Sequence, residues 1–130
     1  INNTMERKIL IVEDDKDFML ILRTSFNNQP FSVFYAESGE EGLALAQKEK
    51  PDLMLIDIML PGIDGITMAQ KKKGKGLNPQ MIFLTNLKDV GNISRVMETM
   101  SNADYIVKAD IHVDDIIQRV KNRLTRESKE

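Results

Sequence analysis

The sequence of residues 53–57 is LMLID, four consecutive apolar residues followed by an aspartate. An uninterrupted apolar run of this length is typical of a strand that is buried on both faces, as in a parallel sheet. Similar runs occur at residues 9–12, 81–84 and 105–107, and a run at 31–36 that includes a serine suits an edge strand. The sequence therefore predicts five strands.

Segments with the apolar spacing of helices separate the predicted strands. In the first of them, the residues that form a core-facing stripe are Phe18, Ile21, Leu22 and Phe26. Asp15 is placed to cap this helix at its N-terminus. The second predicted helix begins with a capping box of Ser38 and Glu41 and ends before Pro51.

Three further helices complete the predicted pattern. Asp64 is placed to cap a short third helix, which gives way to a solvated loop at residues 71–76. The apolar stripe of the fourth is Val90, Ile93, Met97 and Met100. The stripe of the fifth is Val113, Ile116, Ile117, Val120 and Leu124. Five strands alternating with five helices predict an α/β fold, in which helices cover both faces of a parallel sheet.

Polar and charged residues follow four of the predicted strands. They are Glu13, Asp14 and Asp15 after the first strand, Asp57 after the third, Thr85 after the fourth and Lys108 after the fifth. Taken singly, such residues are usually helix caps, turn residues or solvated charges. Because ligands of open α/β sheets bind beyond the carboxyl ends of the strands, we expect these side chains to converge on one site.

The acids of this predicted site call for a cation. Two carboxylates about 4 Å apart repel by roughly 4 kcal/mol at an effective dielectric constant of ~20, so the cluster requires a cation or raised pKa values. Oxygen ligands without His or Cys favour Mg²⁺. A carboxylate can then accept a phosphoryl group if a second cation, here Lys108, also neutralises the transferred oxygens, and Thr85 can donate a hydrogen bond to them. Asp57 is the candidate phosphoacceptor.

Composition excludes several other classes of protein. The chain has 130 residues, 42% of them apolar, which suits one domain with a sizeable core. It has no cysteine and a single histidine, His112, which excludes a disulfide framework and Cys- or His-rich metal sites. A net charge of −2, with acids and bases mixed along the chain, argues against direct binding to nucleic acid.

The apolar runs and the two ends of the sequence also indicate location and domain limits. No apolar run approaches the ~20 residues that cross a bilayer, so we expect no membrane association and a soluble, cytoplasmic protein. We expect one domain over residues 5–126. Residues 1–4 are expected to be a cloning remnant or a cut boundary, and residues 127–130 a polar tail or the start of a linker.

The segment 57–65, with the sequence DIMLPGIDG, resembles the phosphoacceptor segment of the receiver domains of two-component response regulators. Residues 9–14 resemble the first strand and acidic pair of that family, and residues 103–108 resemble its fifth strand. The resemblance covers about residues 8–124. It implies a flavodoxin-like three-layer sandwich, with a five-stranded parallel sheet in the order 2-1-3-4-5 and five helices.

The resemblance also implies how the metal is held. Asp14 is the implied direct ligand of Mg²⁺, together with Asp57 and the main-chain carbonyl of Met59, and Glu13 is implied to act through water. Asp15 would be the helix cap instead.

Signalling roles follow from the resemblance as well. Thr85 and Tyr105 are the implied switch pair, the hydroxyl moving toward the phosphoryl group and the ring turning inward. The implied phosphodonor is a histidine kinase or a histidine phosphotransfer protein. The fourth helix, fifth strand and fifth helix would form the output face, for a downstream protein or effector domain or for a homodimer. Such a domain is not an enzyme, and it promotes only its own phosphorylation and slow dephosphorylation.

Some positions bear on this resemblance individually. Met59 and Leu87 occupy the positions that flank the path of the hydrolytic water, and neither orients a water well, which favours slow dephosphorylation. Ala109 follows Lys108 where the family usually has a proline, often after a cis bond that costs about 2.5–4 kcal/mol without proline. We therefore expect the loop at Ala109 to differ. Asn86 follows Thr85 at a position where the family commonly has a smaller residue, so Asn86 is expected to narrow access to the phosphoryl site.

Three other functions fit parts of the pattern. A receiver-like interaction module that is never phosphorylated typically lacks an acid or the lysine, and here both are present. A flavodoxin-like cofactor carrier would need a phosphate cradle after the first strand, where the three acids at residues 13–15 would repel a phosphate. An aspartyl-intermediate phosphatase would need its nucleophile there, with a second aspartate two residues on, but the sequence of residues 13–16 is EDDK.

Overall fold

The computed structural model describes residues 6–73, 79–86, 94 and 103–128. Its strands are β1 (Arg7–Val12), β2 (Phe31–Ala36), β3 (Leu53–Asp57), β4 (Gln80–Thr85) and β5 (Asp104–Val107). Its α-helices are α1 (Lys16–Phe26), α2 (Gly39–Glu49), α3 (Gly65–Lys73) and the C-terminal helix α4 (Val113–Ser128). A short 3-10 helix, Lys108–Asp110, follows β5.

All five strands pair in parallel, in the order β2-β1-β3-β4-β5, so the predicted sheet is confirmed. The register aligns their carboxyl ends: Val12 lies opposite Ile56, Asp57 opposite Leu84, and Thr85 opposite Val107. Residues that directly follow these strands are therefore brought to one edge of the sheet, as the sequence predicted.

Two apolar clusters, one on each face of the sheet, account for the continuous apolar runs. Alternate residues of each strand enter opposite clusters, as Ile9 and Leu10 do in β1. Helices α1 and α4 pack on the face that includes Ile9, and α2 and α3 pack on the other. These three layers confirm the predicted sandwich architecture.

Side-chain caps fix where the first helices begin. The Asp15 carboxylate accepts hydrogen bonds from the main-chain N–H groups of Asp17 and Phe18, and the Ser38 hydroxyl accepts one from that of Glu41. Each such cap stabilises a helix by about 1 kcal/mol. The caps predicted at Asp15 and Ser38 are confirmed, and α2 ends at Glu49, before Pro51, also as predicted.

Two helical details differ from the sequence predictions. In α1 the buried residues are Met19, Leu22 and Phe26, whereas Ile21 is 48% exposed. The core-facing stripe thus follows steps of three and four residues from Met19, which places Ile21 on the opposite side. Helix α3 continues to Lys73, where a loop was predicted from residue 71, because lysine is a good helix former.

Part of the prediction lies outside the described residues. The fourth predicted helix, with its stripe of Val90, Ile93, Met97 and Met100, falls there, as does the lysine and glycine run from residue 74 onward. The last predicted helix is confirmed as α4, whose Ile116, Ile117, Val120 and Leu124 are buried. None of the helices in the described part of the chain combines the length and the apolar character that crossing a bilayer requires.

Candidate functional site

The carboxyl edge of the sheet holds three buried polar residues. Glu13 and Thr85 have no exposed surface, and Asp57 is 2% exposed. Burying polar groups is costly unless they are paired or bound, so their presence here indicates a role for this edge. Asp14, next to Glu13, is exposed and gives the site its opening to solvent.

Asp57, the last residue of β3, is held at both carboxylate oxygens. Its Oδ1 atom accepts a hydrogen bond of 2.9 Å from the main-chain N–H of Met59. Its Oδ2 atom accepts one of 3.0 Å from Nζ of Lys108. The next residue, Ile58, is tied to β4 by a 2.9 Å main-chain bond to Leu84. The carboxylate is therefore fixed in orientation.

Lys108 reaches the site from the 3-10 helix after β5, and its side chain is 6% exposed. Its Nζ atom lies 2.8 Å from Oε1 of Glu13 and 3.0 Å from Oδ2 of Asp57. Among the described residues no peptide bond is cis, so Ala109 follows in the trans form. The alanine in place of proline therefore leaves the lysine in contact with the predicted acceptor.

The pKa values of Glu13 and Lys108 are both raised, although burial acts on the two groups in opposite directions. Burial raises the pKa of Glu13 to about 7, and the Asp57 carboxylate adds to this, against the lowering effect of Lys108 and the Asp15 N–H. Burial lowers the pKa of Lys108, but its pairing with Glu13 and Asp57 outweighs burial and raises the pKa above its usual value. The lysine is thus a permanent cation at neutral pH.

Three carboxylates are close enough to bind one metal ion. Glu13, Asp14 and Asp57 each offer an oxygen, and these oxygens all lie within 4.8 Å of one another. Only one cation, Lys108, contacts the two buried members of this group in the part of the chain described. An excess of negative charge and an all-oxygen donor set fit a hard divalent ion such as Mg²⁺.

The predicted switch residues lie on β4, the strand next to that of Asp57, and on β5, the strand beyond it. Thr85 ends β4, and Tyr105 pairs in register with Phe83 of that strand. Tyr105 is half-buried and packs against the cluster that includes Phe83. Its main-chain oxygen accepts a 3.4 Å hydrogen bond from Arg119 of α4. The structure thus connects this strand to the C-terminal helix, while the switch roles of Thr85 and Tyr105 remain predictions.

A model of the response regulator receiver domain family matches residues 9–121 of the sequence. The chain belongs to this family. Receiver domains are phosphoacceptor switches of two-component phosphorelays, which work with a histidine kinase or phosphotransfer protein and a downstream effector. The chain is accordingly a signalling domain. The resemblance inferred from residues 9–14, 57–65 and 103–108 is confirmed.

Individual relatives support the same assignment over nearly the whole receiver domain. Sporulation initiation phosphotransferase F of Bacillus subtilis is 32% identical over 124 residues, which cover 95% of this chain and 98% of the relative. A CheY-like receiver domain protein from Methanospirillum hungatei superposes with a TM-score of 0.86 at 26% identity, covering 96% and 98% of the two chains. A putative response regulator from Chloroflexus aurantiacus gives a TM-score of 0.80 at 31% identity, covering 93% and 99%.

The structure brings most of the predicted site residues of this receiver domain together. Glu13, Asp14, Asp57 and Lys108 form one cluster by distance. Met59, whose main-chain carbonyl was predicted as a ligand, lies two residues after Asp57 and is 59% exposed. Asn86 is exposed beyond Thr85, and its predicted effect on access stays a prediction. Leu87 lies outside the described residues.

Two residues at the site were missed by the sequence predictions. The ring of Phe18 lies 4.6 Å from Nζ of Lys108, although the apolar spacing assigned Phe18 only to the core. A Cβ atom on Gly65 would clash with the main-chain oxygen of Asp57, so only glycine fits there. The sequence did contain an indication for Gly65, since it lies at the start of a predicted helix. Glycine weakens a helix, so its presence there suggests that a larger residue would not fit.

Proposed function

We propose that Asp57 is the phosphoacceptor of this receiver domain and that Mg²⁺, bound by Asp14, Asp57 and the main-chain carbonyl of Met59 with Glu13 acting through water, assists the transfer. The observation that carries the proposal is the 3.0 Å contact of a buried Asp57 carboxylate with Lys108 inside a cluster of three acids. A carboxylate so placed can attack the phosphorus of a phosphodonor between two cations, forming an acyl phosphate as the bond from phosphorus to the donor's imidazole nitrogen, or to the acetate oxygen of acetyl phosphate, breaks.

Charge balance explains why two cations would speed the transfer. The transferring phosphoryl group carries negative charge on its three outer oxygens, and Glu13, Asp14 and Asp57 would repel it unaided. Lys108 offsets one charge, and a divalent ion held by the acids of the site would offset two more. The test is to incubate the protein with acetyl phosphate, with Mg²⁺ or with excess chelator, and measure its intact mass. Equal labelling in chelator would contradict the role of the metal.

The domain is proposed to span residues 5–126, with a histidine kinase or phosphotransfer protein as its phosphodonor. Its proposed output face comprises β5, the C-terminal helix α4 and the helix that the sequence predicts between β4 and β5. This face would bind a downstream effector or a second copy of the chain. Arg119 and Arg123 of α4 support this assignment, since they lie 4.0 and 3.7 Å from Asp104 of β5 and tie the strand and helix together. The phosphorylated form is proposed to be long-lived, because the Met59 side chain cannot orient the hydrolytic water by hydrogen bonding.

We expect Mg²⁺ to bind about tenfold more weakly at pH 6 than at pH 8. The pKa of Glu13 is raised to about 7, so this carboxyl is mostly protonated below that value and mostly ionised above it. A proton removes one negative charge from the metal site, so the affinity falls as the pH falls. Calorimetric titration with MgCl₂ at the two pH values measures the ratio.

Glu13→Gln is the control for this pH dependence. The amide does not titrate, so the variant should bind Mg²⁺ weakly and with nearly equal affinity at both pH values. A parent protein whose affinity is the same at pH 6 and pH 8, or a Gln variant that keeps the tenfold ratio, would contradict the assignment to Glu13.

Thr85→Ala and Lys108→Ala should leave a folded protein that still accepts phosphate, more slowly for the lysine variant, but that no longer passes the change to Tyr105. Both side chains can contact the added charge without being metal ligands, so their loss affects the conformational switch more than the chemistry. NMR chemical shifts of Tyr105 and α4, with and without beryllofluoride and Mg²⁺, report the switch.

Thr24→Ala and Lys48→Ala, which replace exposed residues of the same types, serve as matched controls. Both variants should show all the chemical shift changes that beryllofluoride and Mg²⁺ cause in the parent. If the Thr85 and Lys108 variants showed the same beryllofluoride-induced shifts as the parent, neither residue would be a sensor of the phosphoryl group.

A further inference from the structure

The Lys108 ammonium has an aromatic neighbour as well as two carboxylates. Its Nζ atom lies 4.6 Å from the centroid of the Phe18 ring, well inside the ~6 Å range of cation–π attraction. Such attraction is strongest where water is excluded, and the lysine side chain is only 6% exposed. The ring is thus a third partner that fixes the ammonium group.

Phe18 is held in place by the start of α1. Its main-chain N–H donates a 3.1 Å hydrogen bond to the Asp15 carboxylate, and the Asp15 N–H donates one of 2.8 Å to Oε2 of Glu13. The Phe18 side chain also packs against the apolar cluster beneath α1 and α4. The ring position is therefore tied to the acidic end of β1, and the ring does not depend on Lys108 for its placement.

The three partners of the ammonium differ in what a metal ion does to them. Glu13 and Asp57 belong to the group of acids that fits Mg²⁺, so a bound metal competes with the ammonium for their oxygens. The Phe18 ring has no oxygen to offer a metal, and its attraction for the ammonium remains when the metal binds. An aliphatic residue in its place would supply packing but no such attraction.

We propose that Phe18 is a positioning residue, whose ring keeps the Lys108 ammonium at the acceptor carboxylate under conditions where Glu13 and Asp57 would also interact with Mg²⁺. The inference rests on the proposed role of Asp57. It assigns to Phe18 an indirect part in phosphoryl transfer, through the lysine that neutralises the transferred oxygens.

The test compares Phe18→Leu with Phe18→Tyr, which keeps an aromatic ring. We expect Phe18→Leu to be phosphorylated by acetyl phosphate about tenfold more slowly at saturating Mg²⁺, a factor within the range that a cation–π contact supplies where water is excluded. It should also lose the upfield NMR shift that the ring imposes on the Lys108 ε-methylene protons. Phe18→Tyr should retain the shift and most of the rate.

Phe26→Leu is the matched control, because Phe26 lies in the same helix, is 1% exposed and packs against Phe31 rather than Lys108. It should lower stability through lost core packing while leaving the Lys108 shift and the phosphorylation rate unchanged. If Phe18→Leu were phosphorylated at the parent rate, or Phe18→Tyr as slowly as Phe18→Leu, the inference about Phe18 would be wrong and the proposed function would stand. A parent protein that is not labelled at all would overturn the proposed function and, with it, the inference.

Discussion

Asp57→Asn should abolish phosphorylation by acetyl phosphate and leave the fold intact. The amide has no anionic oxygen to attack phosphorus, so the variant lacks the nucleophile. Its carbonyl oxygen can still accept the hydrogen bond that Met59 donates to Oδ1 of Asp57, so the loop after β3 keeps one of its ties. The Lys108 ammonium loses one carboxylate partner and keeps the other, since its Nζ atom lies 2.8 Å from Oε1 of Glu13. Intact-mass measurement after incubation with donor and Mg²⁺ gives the labelled fraction.

Asp52→Asn is the matched control, since Asp52 precedes the opposite end of β3 and its carboxylate accepts a hydrogen bond from the Lys8 N–H. This variant should be labelled like the parent. An acyl phosphate is cleaved by neutral hydroxylamine, whereas a phosphate ester of serine or threonine is stable, so the parent's label should disappear on that treatment. Labelling of Asp57→Asn as complete as that of the parent would show that the acceptor lies elsewhere.

The sheet could be predicted from the sequence because its central strands β1, β3 and β4 are buried on both faces. A run such as residues 53–56 has no polar position to alternate with, which limits it to a central strand between two helical layers. The side of each helix that meets the core was less certain. Ile21 and Met19 are both apolar residues of α1, and only the position of the helix on the sheet decides that Met19 is buried and Ile21 exposed.

The site could be predicted as far as the strand ends determine it. Asp57 ends β3 and Lys108 follows β5, and parallel strands bring both to one edge even though β4 lies between them. Contacts made by side chains that cross between strands could not be predicted. Lys108 reaches Glu13 and Phe18 because its long side chain extends over the sheet edge. The spacing of residues in the sequence does not indicate the direction that such a side chain takes.

Gly65→Ala should destabilise the protein by about 3 kcal/mol, the upper part of the range for overpacked sites. In an ordinary helix the same change stabilises by about 1 kcal/mol, because glycine is a poor helix former. Here the added Cβ would clash with the main-chain oxygen of Asp57 and lie 2.8 Å from Cγ2 of Ile56. A main-chain oxygen in a buried strand cannot turn aside as a side chain can, so either α3 or the end of β3 must move.

Gly42→Ala separates this clash from helix propensity and from burial. Gly42 is a buried glycine of α2, and its added Cβ would lie 3.0 Å from Cγ2 of Val12 and 3.2 Å from Cε of Met68, both side-chain atoms that can shift. We expect its midpoint of urea unfolding to stay close to that of the parent, while Gly65→Ala unfolds at much lower urea. Because the Gly65 clash falls on the acceptor residue itself, Gly65→Ala should also be phosphorylated more slowly under conditions where it is folded. Equal midpoints for Gly65→Ala and the parent would mean that α3 is not packed against the Asp57 main chain as closely as the structure indicates.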